Sequence, residues 1–598
     1  MARLVISAHA GAPADVVAAQ GGTHWGGAAR RSARRWGLLL MAGWLVQAGL
    51  RAWFSRIQVV PLANPDESAY LIAARVLTGG PGADLTDSTL YQGGYSLLIT
   101  PVYWFTHNPV GVYRAVLMIN AAVSALLMPL AYVAGRRLGL GRPAAYGVAM
   151  VVALLPAGFF YSEYAMTDAI FPVIVVAWLL TVHSWLTATS LRGRYAAAVG
   201  SALLVGYAYA VHVRGLVMVA GYVLLGVVIA WRRLAPRWTA VAAGASLLAT
   251  LGAAWRLNSY LAAAIYPGGT RSLGEQVASR MASVHGAINV FEMAAGQMWR
   301  LVLDSWGIAG IGLVAAVAVA VRRGSRSDLR LMAALTVAVT VVTACTAPAA
   351  LPSDQSQTWA SGRYLDGMIV TFFLVGLVVL VQASRRDVLL CAAGVAALTA
   401  VAAVTVAAYA GSSLPTSGFG SGFNFAEPAV LTQDWNQASV ALATGVALGL
   451  LAIWVLAALA ARRWPAGRPR VLAGCLGVAA LAGVNLVALA QMTSQVSQAS
   501  TVAQVAEASG LVKESGLKPG EQIAVASNVS WAVWVPQAFE VPWTTLQFFN
   551  PDQAPPAGVS VVETSWTGGP ARSSWPHAPA GWRIVAENQA AGWVAWRR

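Results

Sequence analysis

Long apolar runs, each about twenty residues, recur along most of this chain with clusters of arginine between alternate runs. That pattern leaves few folds open. In lipid every backbone N–H and C=O must find its partner within the segment, so such runs cross a bilayer as α-helices. A single soluble core is excluded, because 58% of the 598 residues are hydrophobic and only 10% are charged, more apolar surface than one core can hide. The expected fold class is a polytopic α-helical membrane protein.

Length and flanking charge predict about thirteen spans, near 36–56, 110–135, 143–162, 168–188, 195–213, 215–231, 238–257, 299–321, 330–348, 365–383, 387–410, 438–461 and 470–491. With the N-terminus inside, every inner loop is basic, from Arg136, Arg137 and Arg142 to Arg462, Arg463, Arg468 and Arg470. The positive-inside rule then holds at each turn. The formal charge of +16 is therefore a topology signal rather than a nucleic-acid footprint. The acids show the opposite bias: only Asp15, Asp328 and Asp387 fall inside. Chemistry is expected on the outer face.

Residues 1–35 read as a disordered cytoplasmic tail ending in Arg30, Arg31, Arg34 and Arg35 ahead of a retained signal anchor. The membrane domain occupies 36–491, with long outer loops at 57–109 and 258–298. Both loops carry helical periodicity, as in Tyr70, Ala73, Ala74 and Leu77, which suggests amphipathic helices on the membrane surface. After residue 491 the composition turns soluble. A helix near 500–515 and strands near 522–526, 545–549, 559–564, 582–587 and 593–597 predict a small α/β domain over 492–598, placed outside by span parity. Cys345, Cys391 and Cys475 each lie in apolar sequence and form neither a disulfide framework nor a metal motif.

Carboxylates are scarce here, so adjacent ones at a membrane exit mark a candidate site. Asp66-Glu67 follows the first span, and Tyr91-Gln92-Gly93-Gly94-Tyr95-Ser96 lies in the same loop. Glu163 and Asp168 flank the junction of spans three and four. His212-Val213-Arg214-Gly215 joins spans five and six, and Gly362-Arg363-Tyr364 opens span ten.

These features resemble the GT-C class of membrane glycosyltransferases, which take a sugar from a polyprenyl phosphate and include protein O-mannosyltransferases, aminoarabinose transferases and bacterial arabinosyltransferases. The class places an Asp, often Asp-Glu, in the first outer loop, where Asp66 and Glu67 stand. Tyr91 to Ser96 is similar to its Tyr-Pro-Pro-Gly-Tyr-Pro segment but lacks the prolines. Thr167-Asp168 and Gly362-Arg363-Tyr364 are similar to family features as well.

The resemblance implies an inverting glycosyltransferase of the bacterial cytoplasmic membrane. Its donor would be a polyprenyl-phosphate sugar and its acceptor a cell-envelope glycan, lipid or protein. A base must take the proton of the acceptor hydroxyl, and Asp66 is the expected one with Glu67 in support. Arg363, Tyr364, Arg214 and His212 would receive the phosphate, for which a guanidinium fork is suited. Asp66, Glu163 and Asp168 also offer oxygen ligands for Mg²⁺ or Mn²⁺. Each assignment has a plainer alternative: the acids could cap helices and the arginines snorkel to headgroups. The rival from another class is a transporter or flippase for an envelope precursor, which would place its ionisable groups near the midplane.

Overall fold

The structure is a computed structural model that describes residues 25–598 apart from 87, 352–356, 411–422, 466, 503–509, 542 and 545. Its helices in chain order begin with α1 (Trp25–Phe54), α2 (Asp66–Leu77), α3 (Gly93–Ile99), α4 (Pro109–Ser124), α5 (Leu127–Arg137), α6 (Arg142–Ala153) and α7 (Pro156–Phe159). Next come α8 (Phe171–Thr187), α9 (Leu191–Val211), α10 (Gly215–Trp231), α11 (Arg237–Ile265), α12 (Leu273–Met281), α13 (Val284–Leu303) and α14 (Ile308–Val321). The membrane part closes with α15 (Ser327–Ala349), α16 (Gln357–Ala360), α17 (Asp366–Gln382), α18 (Arg385–Ala410), α19 (Ala426–Thr432), α20 (Val440–Ala461) and α21 (Arg468–Met492).

Among the described residues, 8 helices are long and apolar enough to cross a membrane, or up to 10 when each bent pair is taken as one span. Apolar α8 and α10 are shorter, at 17 residues or about 26 Å. Helices stand at the expected positions, and the count of thirteen stays an expectation. The tail differs from the reading: α1 already runs from Trp25, and residues 1–24 lie outside the described part.

Two of the expected spans are broken. The apolar run 143–162 stops at Ala153, and Pro156 opens a new turn bent by 74°, since proline has no N–H for the preceding turn. Pro172 does not kink a span but sits in the first turn of α8, where a missing N–H costs little. The run 299–321 is divided between α13 and α14, which meet at 116°. Trp306 and Gly307 make that corner with positive φ of 55° and 84°. Hydropathy continues across both breaks, so the sequence reads each as one segment.

The C-terminal domain is built on a 5-stranded sheet in the order β2-β1-β3-β5-β4, with β1 (Gln522–Ala526), β2 (Leu546–Phe549), β3 (Val559–Ser565), β4 (Arg583–Asn588) and β5 (Trp593–Arg597). β1 runs parallel to β2 and β3, and β5 antiparallel to β3 and β4. A short helix α22 (Leu511–Ser515) precedes β1, and α23 (Trp531–Glu540) packs between β1 and β2 in sequence. Of the predicted helix near 500–515, residues 503–509 lie outside the described part.

The domain docks through α2. Tyr70, Leu71 and Ala74 join the core of the helical bundle, whereas Ala69, Ile72, Ala73 and Val76 join the core of the sheet domain. The Arg75 guanidinium donates to Ala538 O at 3.1 Å and to Pro81 O at 2.7 Å. Trp543 stacks on His107 with 3.9 Å between ring centres. Thus α2 is buried on both faces instead of lying on a membrane surface, and α12, with no buried residue, is the exposed amphipathic helix of the second loop.

Candidate active site

The N-terminus of α2 carries the acidic pair, and the two carboxylates face different surroundings. Asp66 lies in the first helical turn with its side chain 26% exposed. Its Oδ1 accepts from the Tyr91 hydroxyl at 2.9 Å and its Oδ2 from Arg363 Nη1 at 3.1 Å. Glu67 is fully buried. Oε1 accepts from the backbone N–H of Leu62 and Ala63 at 2.7 and 2.8 Å, and Oε2 from the Tyr113 hydroxyl at 2.7 Å and Ala165 N–H at 2.6 Å. One carboxylate therefore ties together the loop before α2, helix α4 and the turn after α7. Burial raises the Glu67 carboxyl above its ordinary range, against the pull of these donors.

Tyr91 comes from the glycine-rich segment that ends in α3. Gly94 lets α3 approach the end of α9 closely, because a Cβ there would stand 2.5 Å from the carbonyl carbon of Ala210. Tyr95 then reaches Asn120 at 2.9 Å, and Ser96 donates to Tyr70 O at 2.9 Å. The segment works as a packing device that aims Tyr91 at Asp66. Burial, and then the neighbouring Asp66 charge, hold the Tyr91 phenol well above its usual range, so it stays a donor.

The four phosphate-binding candidates are brought together, with unequal freedom. Arg214 is 6% exposed and its guanidinium is committed: Nη2 to Asp168 Oδ1 at 2.6 Å, Nη1 to Arg363 O at 2.8 Å and Nε to His212 Nδ1 at 3.3 Å. His212 Nδ1 also accepts from Arg214 N–H at 3.1 Å, which fixes that nitrogen as unprotonated. Burial first, and then the Arg214 charge, hold the imidazole well below its usual range. Burial pushes the Asp168 carboxyl up, but Arg214 and then Arg363 outweigh it and leave it below the ordinary value.

Arg363 differs. Its guanidinium lies 5.6 Å from the Tyr364 ring centre and 5.7 Å from that of Phe423, and its side chain is 12% exposed. Its buried Nε and the Tyr364 hydroxyl have no hydrogen-bond partner among the described residues. Arg363 thus keeps donor capacity beside Asp66.

The three carboxylates named as metal ligands do not form a set. Glu163 accepts from Thr493 at 2.6 Å and Gln58 at 3.1 Å, and Asp168 is paired with Arg214. Among the described residues no three His, Cys, Asp or Glu side chains are grouped to hold a metal ion. These residues do not fit an Mg²⁺ or Mn²⁺ site.

The sequence reading missed a second buried network at the α13–α14 corner. Arg300 donates to Asp304 Oδ1 at 2.8 Å, Glu427 Oε2 at 2.7 Å and Ala360 O at 3.0 Å. A Cβ on Gly362 would collide with Asp304 Oδ2, so this network sets the position of the Gly362-Arg363-Tyr364 turn. The only sequence signal was an Arg and an Asp four residues apart inside an apolar run.

No protein-family model matches the sequence, and no curated protein matches it. Solved structures do. ArnT from Cupriavidus metallidurans bound to undecaprenyl phosphate aligns with TM-score 0.54 and 15% identity, covering 94% of this chain and 98% of that one. The apo state of the same protein aligns with TM-score 0.50 and 16% identity over the same shares. At such identity the likeness is one of fold, and over nearly its whole length this chain shares the fold of ArnT.

Proposed function

We propose that this chain is an inverting membrane glycosyltransferase that moves a sugar from a polyprenyl phosphate to a hydroxyl of a cell-envelope acceptor on the outer face. The observation that carries the reading is a partly exposed carboxylate, Asp66, joined to an arginine that still has an unpartnered buried donor. Neighbouring fold supports it, since ArnT with this fold is bound to undecaprenyl phosphate.

The donor phosphate competes with Asp66 for Arg363 and takes up the charge-assisted bonds that a guanidinium fork supplies. Asp66 Oδ2 is then free to accept a proton. The acceptor oxygen attacks the anomeric carbon, its proton passes to Asp66, and the bond from that carbon to the phosphate oxygen breaks with inversion. The polyprenyl phosphate leaves with its negative charge against Arg363 and the Tyr364 hydroxyl. Tyr91 holds Asp66 in place through Oδ1. Glu67, Asp168, Arg214 and His212 act as positioning residues, the first by fixing the start of α2 and the others by fixing the Arg363 backbone.

Donor binding tests the phosphate role. Arg363→Ala is expected to weaken affinity for a labelled polyprenyl-phosphate sugar by at least about tenfold, in line with loss of a buried charge-assisted contact. Unchanged affinity would remove Arg363 from the role. The transporter reading draws on the two helix breaks, which transporters also use at their binding sites. Uptake of the lipid-linked sugar into vesicles with no glycosidic product would favour it.

A further inference from the structure

At the other end of the bundle, residues of α5, α8, α14, α15 and α17 line a cavity of about 470 Å³. It opens beside Gln382, sixteen residues or roughly 24 Å along α17 from Asp366, the end of the helix that follows the Gly362-Arg363-Tyr364 turn. Its walls are apolar: Val176, Leu179, Ala315, Phe372 and Val378 are all under 10% exposed. Arg137 and Gln382 stand exposed at its rim.

We propose that this cavity seats one acyl chain of an anionic bilayer phospholipid, with the lipid phosphate at Arg137. The volume fits such a chain. An apolar cavity of about 150 Å³ takes up benzene and stays dry, so one about three times larger has room for roughly eighteen carbons, a fatty chain and well short of a polyprenyl tail. Bilayer lipid is also the apolar solute that surrounds a membrane-spanning bundle.

The rim fits the headgroup. Arg137 Nη1 donates to Leu180 O at 2.6 Å and approaches His183 Nδ1 at 3.4 Å, and its Nε and Nη2 make no hydrogen bond among the described residues. The nearby acid, Asp328, is already held by Arg326 at 2.8 Å and lies 3.7 Å from His183, so it does not neutralise Arg137. A basic rim over an apolar slot between membrane helices is the arrangement that recognises anionic lipid headgroups.

The test uses the full chain in nanodiscs and in mild detergent, with native mass spectrometry and thermal unfolding as readouts and no glycosyl transfer involved. Wild-type protein is expected to retain one phosphatidylglycerol in preference to phosphatidylcholine and to unfold several degrees higher in phosphatidylglycerol discs. Arg137→Gln should keep a bound lipid but lose the headgroup preference. Ala316→Trp, which fills the cavity, should lose the lipid, and Met332→Trp, at a half-buried position of the lining, should do the same with less strain on the core. Equal retention of the two phospholipids by wild type would overturn the proposal. So would a retained polyprenyl phosphate, or retention unaffected by both tryptophan variants in folded protein.

Discussion

Replacing Glu67 separates a scaffold role from a chemical one. In Glu67→Ala the N–H groups of Leu62, Ala63 and Ala165 and the Tyr113 hydroxyl lose their shared acceptor at zero exposure. Each orphaned buried donor costs about 1–3 kcal/mol. Water entering the vacated space and the part-buried position of the Ala63 N–H offset part of that, so the lower figure applies and the sum is about 3–4 kcal/mol. Glu67→Gln is milder. Its amide oxygen can still serve Leu62 and Ala63, and the Tyr113 hydroxyl can turn to accept from the new NH₂, leaving Ala165 N–H alone at roughly 2 kcal/mol. Thermal unfolding of purified protein, followed by tryptophan fluorescence, should therefore rank wild type above Gln above Ala. Transfer per folded molecule in Glu67→Gln should fall far less than in Asp66→Asn. A Glu67→Gln protein with wild-type unfolding and no transfer would make Glu67 the reacting group instead of a scaffold.

Three further outcomes follow from the geometry. Asp168→Asn leaves Arg214 buried without its counter-ion and should destabilise by about 3–5 kcal/mol in unfolding assays, with part recovered when Arg214→Met is added. Gly94→Ala places a methyl 2.5 Å from the Ala210 carbonyl carbon and should cost about 1–3 kcal/mol, together with lost transfer as Tyr91 moves off Asp66. Glu563 is fully buried in the sheet domain, where burial pushes its carboxyl up from 4.5 to about 8. The native domain then binds a proton that the unfolded chain releases, so stability is complete below pH 4.5 and declines as pH rises toward 8, at up to roughly 1.4 kcal/mol per pH unit. Glu563→Gln should flatten that slope; a domain whose unfolding is independent of pH across this window would contradict it.

Hydropathy and arginine placement located the apolar helices, because span length and loop charge are both written locally. Asp66, Arg363, Arg214, Asp168 and His212 stood out as polar groups at segment ends, and the structure brings them to one place. What could not be read locally were the bends. The corner at Trp306 and Gly307 lies inside a continuous apolar run, so the Arg300 network that it supports stayed hidden. Glu67 looked like a partner of Asp66 in sequence, whereas one helical step turns it 100° away and into the protein. In the sheet domain α23 was missed because Trp531-Ala-Val-Trp-Val-Pro536 is β-rich in composition and carries a proline; packing against α2 overrides that local preference.

On the proposed reading, Asp66 takes the acceptor proton beside a phosphate held by Arg363. Single-turnover transfer from a panel of labelled polyprenyl-phosphate sugars, with donor binding measured on the same membranes, tests it most directly. Asp66→Asn is predicted to bind the cognate donor and to transfer about 10²–10⁴-fold more slowly than the parent, whereas equal transfer by both proteins would remove Asp66 as the base.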